Sequence, residues 1–335
     1  MLILMPDAQI EDDAEIERAV LGAGVEIALH RELVADRIPD EQWRGADGLI
    51  VYYGVPIDRA VVDRLDRCKI VVRAGVGYDQ IDVAACGARG IPVCNVPDYG
   101  TTEVADHAIA LMLGLARGLV SYHTRLIADT EAGWHWLGAP LVRRLRGARF
   151  GVVGLGRIGT AATRRARAHD MVVCFYDPYL PDGAELGLGF ERAGSLQDLL
   201  AQSDVVSLHC PLTPETARLI DAEALAAMKP DALLINTARG GLIDISALAA
   251  ALRDGRLGGA GLDVLPAEPP DPAHPLLQAL ARREPWLEGR LLLTPHIAWF
   301  SAAGRADLRR KSAETARDYL TQRQLRNCVN RNHLP

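Results

Sequence analysis

The sequence predicts an α/β protein of two doubly wound parallel-sheet domains. Three observations carry that prediction. At 335 residues the chain exceeds one typical domain. Short apolar runs alternate with helical patterns along nearly its whole length, and strands separated by helices imply parallel pairing. Finally, Gly154-Leu155-Gly156-Arg157-Ile158-Gly159 joins an apolar run to a helix-favouring stretch, the strand–turn–helix setting of a Rossmann-like phosphate-binding unit.

Taken in order, Leu2 to Met5 reads as a strand, Ala14 to Leu21 as a helix, Val25 to Ala28 and Gly48 to Val51 as strands, Ile57 to Leu65 as a helix and Ile70 to Arg73 as a strand. Met1 to Met5 meets Pro6-Asp7 at once and lacks a positive leader, so it is read as a first strand and not as a signal peptide. The turn Arg73-Ala74-Gly75-Val76-Gly77 ends a strand with two close glycines, which leaves backbone N–H groups free to meet an anion. A breaker-rich turn, Asn95 to Gly100, precedes a helix whose Val104 to Ala116 stretch is dense in small and apolar residues and is expected to be buried while carrying the chain out of the first domain. Leu119 to Gly133 and the Trp134-His135-Trp136 loop follow, the tryptophans being expected to pack.

Phe150 to Val153 then enters the glycine turn. Gly154 makes the turn, Gly156 lets the backbone approach a pyrophosphate, and Gly159 lets helix and strand pack closely. Arg157 and Ile158 open the helix, whose free N–H groups suit phosphate. The next run, Met171 to Tyr176, ends in Asp177, roughly 20 residues downstream as a dinucleotide site requires. Its carboxylate would accept from the adenosine ribose and repel a 2′-phosphate, so NAD is favoured over NADP.

Alternation continues with a helix over Leu196 to Ala201, a strand over Val205 to Leu208, a helix over Glu223 to Met228, a strand over Ala232 to Ile235, a helix over Ile245 to Arg253 and strands over Gly258 to Leu262 and Leu291 to Leu293. Ala303 to Leu320 closes the chain as a long charged helix returning to the first domain. Ligands of open parallel sheets bind beyond the carboxyl ends of the strands. His209, Arg239, Asp263 and His296 each lie at or just past such an end and are expected to surround one crevice.

Composition bounds the function. The formal net charge of −6, without a basic stripe, argues against direct nucleic-acid binding. No run approaches the ~20 apolar residues of a membrane span. Cys68, Cys86, Cys94, Cys174, Cys210 and Cys328 show neither C-x-x-C nor metal-site spacing; they are read as free thiols in a reducing compartment, giving a cytoplasmic location and no metal. Arginine and alanine abound while lysine occurs only at Lys69, Lys229 and Lys311, a bias that suggests a GC-rich bacterial genome.

A dinucleotide site implies hydride transfer, and oxidising an alcohol needs a base, for which histidine suits neutral pH. His296 follows a strand and a proline. Glu268, in the rigid Pro266-Ala267-Glu268-Pro269-Pro270 loop, is placed to orient an imidazole, and Arg239 supplies a planar cation for a carboxylate.

With these residues assembled, Asn236-Thr237-Ala238-Arg239-Gly240-Gly241, Asp263 with Glu268, and Thr294-Pro295-His296 after the glycine turn resemble the D-isomer-specific 2-hydroxyacid dehydrogenases from about Val71 onward. Within them the chain is most similar to the C-terminal-binding protein, corepressor-like branch, on Phe175 to Leu180, Ser195 to Leu200, His296-Ile297-Ala298-Trp299 and Asn327 to Asn330. The resemblance implies that His296 is the acid/base, Glu268 its partner and Arg239 the substrate-carboxylate group. It implies that Asp263 holds the nicotinamide carboxamide, that Thr237, Ala238, Cys210 and Pro211 line the cofactor with His209 beside them, and that Val104 touches the nicotinamide. Val76 and Gly77 would offer N–H groups to the substrate, with Arg73 nearby and Trp299 as a pocket wall. Val76 stands where the similar phosphite dehydrogenases carry lysine, so phosphite is not expected. Neither a C-terminal regulatory domain nor a long corepressor tail is expected after Pro335.

The implied organisation is a discontinuous substrate-binding domain, residues 1–121 and 301–335, around an NAD-binding domain, residues 122–300, with the active site in the interdomain cleft and a homodimer formed near Leu119 to Trp136. The implied activity is NAD-dependent interconversion of a small 2-oxo acid and its D-2-hydroxy acid. The alternative is an NADH-sensing corepressor-like scaffold with little turnover.

Overall fold

The computed structural model describes residues 1–335. It divides into two compact units, Met1–Gly100 with Phe300–Pro335, and Thr101–Trp299. The first unit begins with β1 (Leu2–Met5), α1 (Glu15–Leu21), β2 (Glu26–Leu29), α2 (Asp40–Gly45), β3 (Gly48–Val51), α3 (Arg59–Asp63), β4 (Val71–Arg73), α4 (Val83–Ala88) and β5 (Val93–Asn95). Its strands pair in parallel in the order β2-β1-β3-β4-β5. Strands β3 and β4 are buried throughout, as their unbroken apolar runs require of a sheet covered on both faces.

The C-terminal helix, Ala302–Gln322, belongs to this unit and packs on α1 and β3. Its Arg309, 4% exposed, donates to both Glu17 carboxylate oxygens at 2.8 and 2.7 Å and to Asp12 at 2.6 and 2.7 Å. Past the helix, Asn330 accepts from the Val93 N–H at 2.8 Å and donates to Ile91 O at 3.0 Å, tying the tail to β5.

The second unit comprises α5 (Thr101–Ala116), α6 (Leu119–Ala128), α7 (Thr130–Gly133), β6 (Arg149–Val153), α8 (Arg157–Ala168), β7 (Val172–Tyr176), α9 (Ala184–Leu188), β8 (Glu191–Arg192), α10 (Leu196–Gln202), β9 (Val205–Leu208), α11 (Ala222–Ala227), β10 (Leu233–Asn236), α12 (Ile245–Arg253), β11 (Gly259–Leu262), α13 (Pro275–Ala281) and β12 (Leu291–Leu293). Its parallel sheet runs β12-β11-β10-β9-β6-β7-β8. The order reverses at β6, whose Phe150 is paired with Val173 on one side and Val205 on the other. That reversal creates a ligand crevice at the strand ends.

Helix α5 corrects the expected boundary at 121/122. Its buried face, including Val104, Ala108, Leu111, Met112 and Leu115, packs on α8 and β11, so the division falls at Gly100/Thr101 and, on the return, at Trp299/Phe300. The approach is close because Gly261 lacks a side chain: a Cβ there would stand 2.9 Å from Leu111 Cβ. The tryptophan loop also departs from expectation, since Trp134 and Trp136 are 79% and 78% exposed and pack into neither core. The expected helix over Ile57 to Leu65 shortens to α3, which Asp58 caps through Val61 N–H at 3.0 Å. Patterning missed the short elements α2, α4, α9, α13, β5 and β8. Cys68, Cys86, Cys94 and Cys174 are buried, Cys210 and Cys328 half-buried, and all are free thiols. No single helix is long and apolar enough to cross a membrane.

Candidate active site and nucleotide-binding turn

The glycine turn between β6 and α8 has the geometry its spacing predicts. Gly154 sits at φ 87°, and a Cβ there would stand 2.7 Å from Cys210 N; a Cβ on Gly159 would stand 2.2 Å from Gly154 O. Gly156, the residue preceding the first turn of α8, would place a Cβ in open space. Gly154 thus makes the turn, Gly159 allows close packing, and the space beside Gly156 is open. Arg157 and Ile158 open α8, where N–H groups lack intrahelical acceptors. Another polar vacancy lies on β10's loop: Thr237 Oγ1 is buried and has no hydrogen-bond partner. A nucleotide over this turn would supply one, so the residues present fit a dinucleotide.

Asp177, just past β7, accepts from Leu155 N–H at 2.9 Å and Tyr179 N–H at 3.0 Å. Its carboxylate therefore sits against the glycine turn itself. Sequence reasoning missed the neighbouring Arg192, which approaches the Asp177 carbonyl at 3.4 Å and pairs with Glu185 at 2.9 Å. His209 follows β9, its Nε2 2.8 Å from Ser207 Oγ; burial pushes its imidazole down to about 4, leaving it neutral. Burial also pushes the Cys210 thiol, beside Pro211, up to about 11. Both line the turn as uncharged groups.

Loops after β10, β11 and β12 meet. Buried Asn236 fixes the first: its side chain accepts from Ala238 N–H at 3.0 Å and donates to Arg239 O at 2.8 Å. Gly240 lets that loop lie on the next, because a Cβ would stand 1.9 Å from the Leu265 carbonyl carbon. Glu268 Oε1 accepts from Leu265 N–H at 3.0 Å, and its Oε2 lies 2.5 Å from His296 Nδ1. Burial raises the Glu268 pKa, but the hydrogen bond and charge of His296, the Leu265 N–H and the Arg239 cation outweigh it and hold the carboxyl below its usual range. A carboxylate so held fixes the imidazole tautomer and stabilises the protonated ring. Glu268, His296 and Arg239 therefore lie together on these strand-end loops.

Asp263, 1% exposed, organises the His296 loop. It accepts from Thr294 Oγ1 at 2.6 Å, Ile297 N–H at 3.0 Å and Ala298 N–H at 2.8 Å, while its carbonyl takes His296 N–H at 2.8 Å. That loop places His296 at φ 53°, and Trp299 Nε1 donates back to His296 O at 3.0 Å. His107, which sequence reasoning passed over, joins helix α5 to this loop through Thr294 Oγ1 at 2.9 Å. Because the threonine hydroxyl hydrogen is committed to Asp263, His107 Nε2 is the donor. Val104 lies one helical turn earlier, on the same side of α5.

In the first unit, Arg73 ends β4, is buried, bonds to the Ala74 carbonyl, and lies 5.9 Å from the Tyr53 ring centroid. A Cβ at Gly75 would meet its guanidinium. The following Val76 is held by its own carbonyl, which accepts from Asn95 Nδ2 at 2.6 Å, and Val76 and Gly77 are half-buried.

Residues 109–298 match the family described as D-isomer specific 2-hydroxyacid dehydrogenase, NAD binding domain, and the chain belongs to that family. It is 38% identical over 275 residues to a D-3-phosphoglycerate dehydrogenase of Methanocaldococcus jannaschii, covering 82% of this chain and 51% of that one. It is 32% identical over 331 residues to C-terminal-binding protein 1 of Caenorhabditis elegans, covering 95% and 44%. The chain thus spans about half the length of the curated relatives it matches. Among solved structures, an NADPH-dependent glyoxylate/hydroxypyruvate reductase from Sinorhizobium meliloti, in complex with NADP and malonate, superposes with TM-score 0.85 at 29% identity, over 98% of this chain and 96% of that one.

Proposed function

We propose that the protein interconverts a small 2-oxo acid and its D-2-hydroxy acid with NAD as cofactor. The observation that carries this reading is the 2.5 Å His296–Glu268 pair on strand-end loops of a nucleotide-binding domain. Bound NADH supplies the hydride for C2 of the substrate.

The protein's own groups do the rest. Glu268 engages Nδ1 of His296, which makes Nε2 the nitrogen that exchanges the proton with the C2 oxygen. In reduction the imidazolium gives that proton up; in oxidation the neutral ring takes it, and Glu268 stabilises the charge that results. Arg239 binds the substrate carboxylate, a task that suits a planar cation, while Val76 and Gly77 offer N–H groups and Arg73 adds positive potential. Trp299 walls the pocket. Val104 would bound the nicotinamide, Asp263 would receive its carboxamide, and Thr237, Ala238, His209, Cys210 and Pro211, with Gly154, Gly156, Arg157, Ile158 and Gly159, would hold the cofactor.

NAD is the preferred form in this reading because Asp177 would present a carboxylate where NADP carries a phosphate and the neighbouring Arg192 guanidinium is already paired with Glu185. Asp177→Ala is expected to narrow the ratio of kcat/KM for NADH over NADPH by removing that repulsion, measured by steady-state kinetics with both cofactors. A wild-type enzyme that prefers NADPH would contradict the assignment.

The free thiols suit a reducing cytoplasm. Helix α6 buries none of its residues, and Leu119, Val120, Ile127, Trp134 and Trp136 are exposed; so much apolar surface on one segment supports a homodimer through it. The second reading, an NADH-sensing scaffold, is favoured by the 32% identity to C-terminal-binding protein 1. A steady-state screen of 2-oxo acids beside a peptide-binding assay on the full chain separates the two: turnover without peptide binding supports the enzyme, and the reverse supports the scaffold.

A further inference from the structure

The tail that follows the C-terminal helix brings two cysteines face to face. Cys328 lies opposite Cys94 of β5 in an isolated antiparallel bridge. Val329 N–H donates to Val93 O at 2.8 Å and Asn95 N–H to Asn327 O at 3.2 Å, so these bonds flank the cysteines and leave them as a non-hydrogen-bonded pair. Such a pair sets its Cα atoms about 4.5 Å apart with its side chains close together, inside the span of roughly 4.4–6.8 Å that a disulfide bridges. The Cys94 thiol meets that of Cys328, and both are free. Cys68 and Cys86, the other two thiols that sense each other, are unlike them: both are buried, and the Cys68 thiol donates to Ile70 O at 3.2 Å.

The two sulfurs differ in access. Cys94 is fully buried, and burial pushes its thiol up to about 12, so it stays protonated. Cys328 is half-buried, with its Sγ 3.4 Å from Asn330 Oδ1, and Arg331 places a cation beside the pair. An accessible thiol next to a cation is where an oxidant reacts first. Neither cysteine belongs to the active site. Cys94 does precede Asn95, whose side chain holds the Val76 carbonyl at 2.6 Å, so a bond between the cysteines would fasten the tail beside the residue that fixes that turn.

We infer that Cys94 and Cys328 form a reversible dithiol–disulfide pair, closed by a peroxide and reopened by a dithiol. The Cys328 sulfur attacks a peroxide oxygen; the O–O bond breaks, Cys328 becomes a sulfenic acid, and hydrogen peroxide leaves its other oxygen as water. The Cys94 sulfur then attacks Cys328 Sγ, the S–O bond breaks, and the departing hydroxyl takes the Cys94 proton as a second water. The two thiols lose two electrons and the peroxide gains them. Mass spectrometry of the full chain, treated with hydrogen peroxide and alkylated, tests this. Wild type is expected to lose two hydrogen atoms and to yield a cross-linked Cys94–Cys328 peptide that dithiothreitol releases. Its Val329 amide should exchange at least about tenfold more slowly when oxidised, because the cross-link opposes local opening of the tail. In Cys94→Ala the sulfenic acid on Cys328 has no partner, and dimedone is expected to trap it. Cys328→Ser should lose the cross-link and the slowed exchange together. The wild-type cross-link depends on the folding of neither variant. A mass unchanged by peroxide, a disulfide joining any other pair, or a sulfenic acid that persists on Cys328 in the wild type would overturn the inference, and none of these outcomes bears on the dehydrogenase reading.

Discussion

Replacing His296 by alanine is expected to lower turnover of the preferred 2-oxo acid at least about 100-fold, the scale on which a positioned acid/base group acts. NADH affinity, followed by fluorescence titration, should change little, because the glycine turn, Asp177 and Thr237 lie on other loops. The His296 backbone is at φ 53°, a conformation asparagine tolerates better than alanine. His296→Asn therefore separates loss of the proton-transfer group from loop strain: both variants should be equally slow. Trp299 bonds to the His296 backbone carbonyl, so neither substitution removes that tie. Turnover at the wild-type level in either variant would remove His296 from the chemistry.

Arg309→Ala should produce the largest loss of stability. Its guanidinium sits between Glu17, fully buried, and Asp12, and taking it away strands a buried carboxylate. Breaking such a pair costs about 3–5 kcal/mol, which urea or thermal unfolding would read as a large fall in midpoint. The double variant Arg309→Met with Glu17→Leu removes charge and counter-charge together and should recover most of the loss. The network also has a pH signature. Hydrogen bonds from Arg309, opposed by burial, hold the Asp12 carboxyl far below its ordinary range. The unfolded chain therefore binds this proton more readily than the folded one. The stability that Asp12 contributes is complete above the ordinary carboxylate pKa of about 4 and drains away as pH falls further. An Arg309→Ala protein as stable as wild type at neutral pH would refute this account.

The nucleotide turn was legible in the sequence because each of its glycines answers a local need: a positive φ at Gly154, open space at Gly156, close packing at Gly159. The meeting of Arg239, Glu268 and His296 was legible because parallel strands bring their carboxyl ends together whatever the separation in sequence. What escaped was whatever depended on a distant partner. His107 meets Thr294 across 187 residues, and nothing local distinguishes it from any other histidine on a small-residue helix. The composition of α5 announced burial without saying in which core, and the boundary was placed a helix too late. Trp134 and Trp136 look like core residues by composition, and only the fold shows them exposed. Asn236 did leave a signal, an asparagine at a strand end followed by a turn, which is the pattern of a side chain bonding its own backbone two residues on.

The central claim is that this chain reduces a small 2-oxo acid, and the direct measurement is a steady-state screen of the wild-type protein. Glyoxylate, hydroxypyruvate, pyruvate and longer 2-oxo acids would each be offered with NADH, and the configuration of any chiral product determined. We predict rapid, saturable NADH oxidation with at least one of them and a D-2-hydroxy acid as the product wherever C2 is a stereocentre. Tight NADH binding with no 2-oxo acid consumed above the uncatalysed rate, or a product of L configuration, would contradict it.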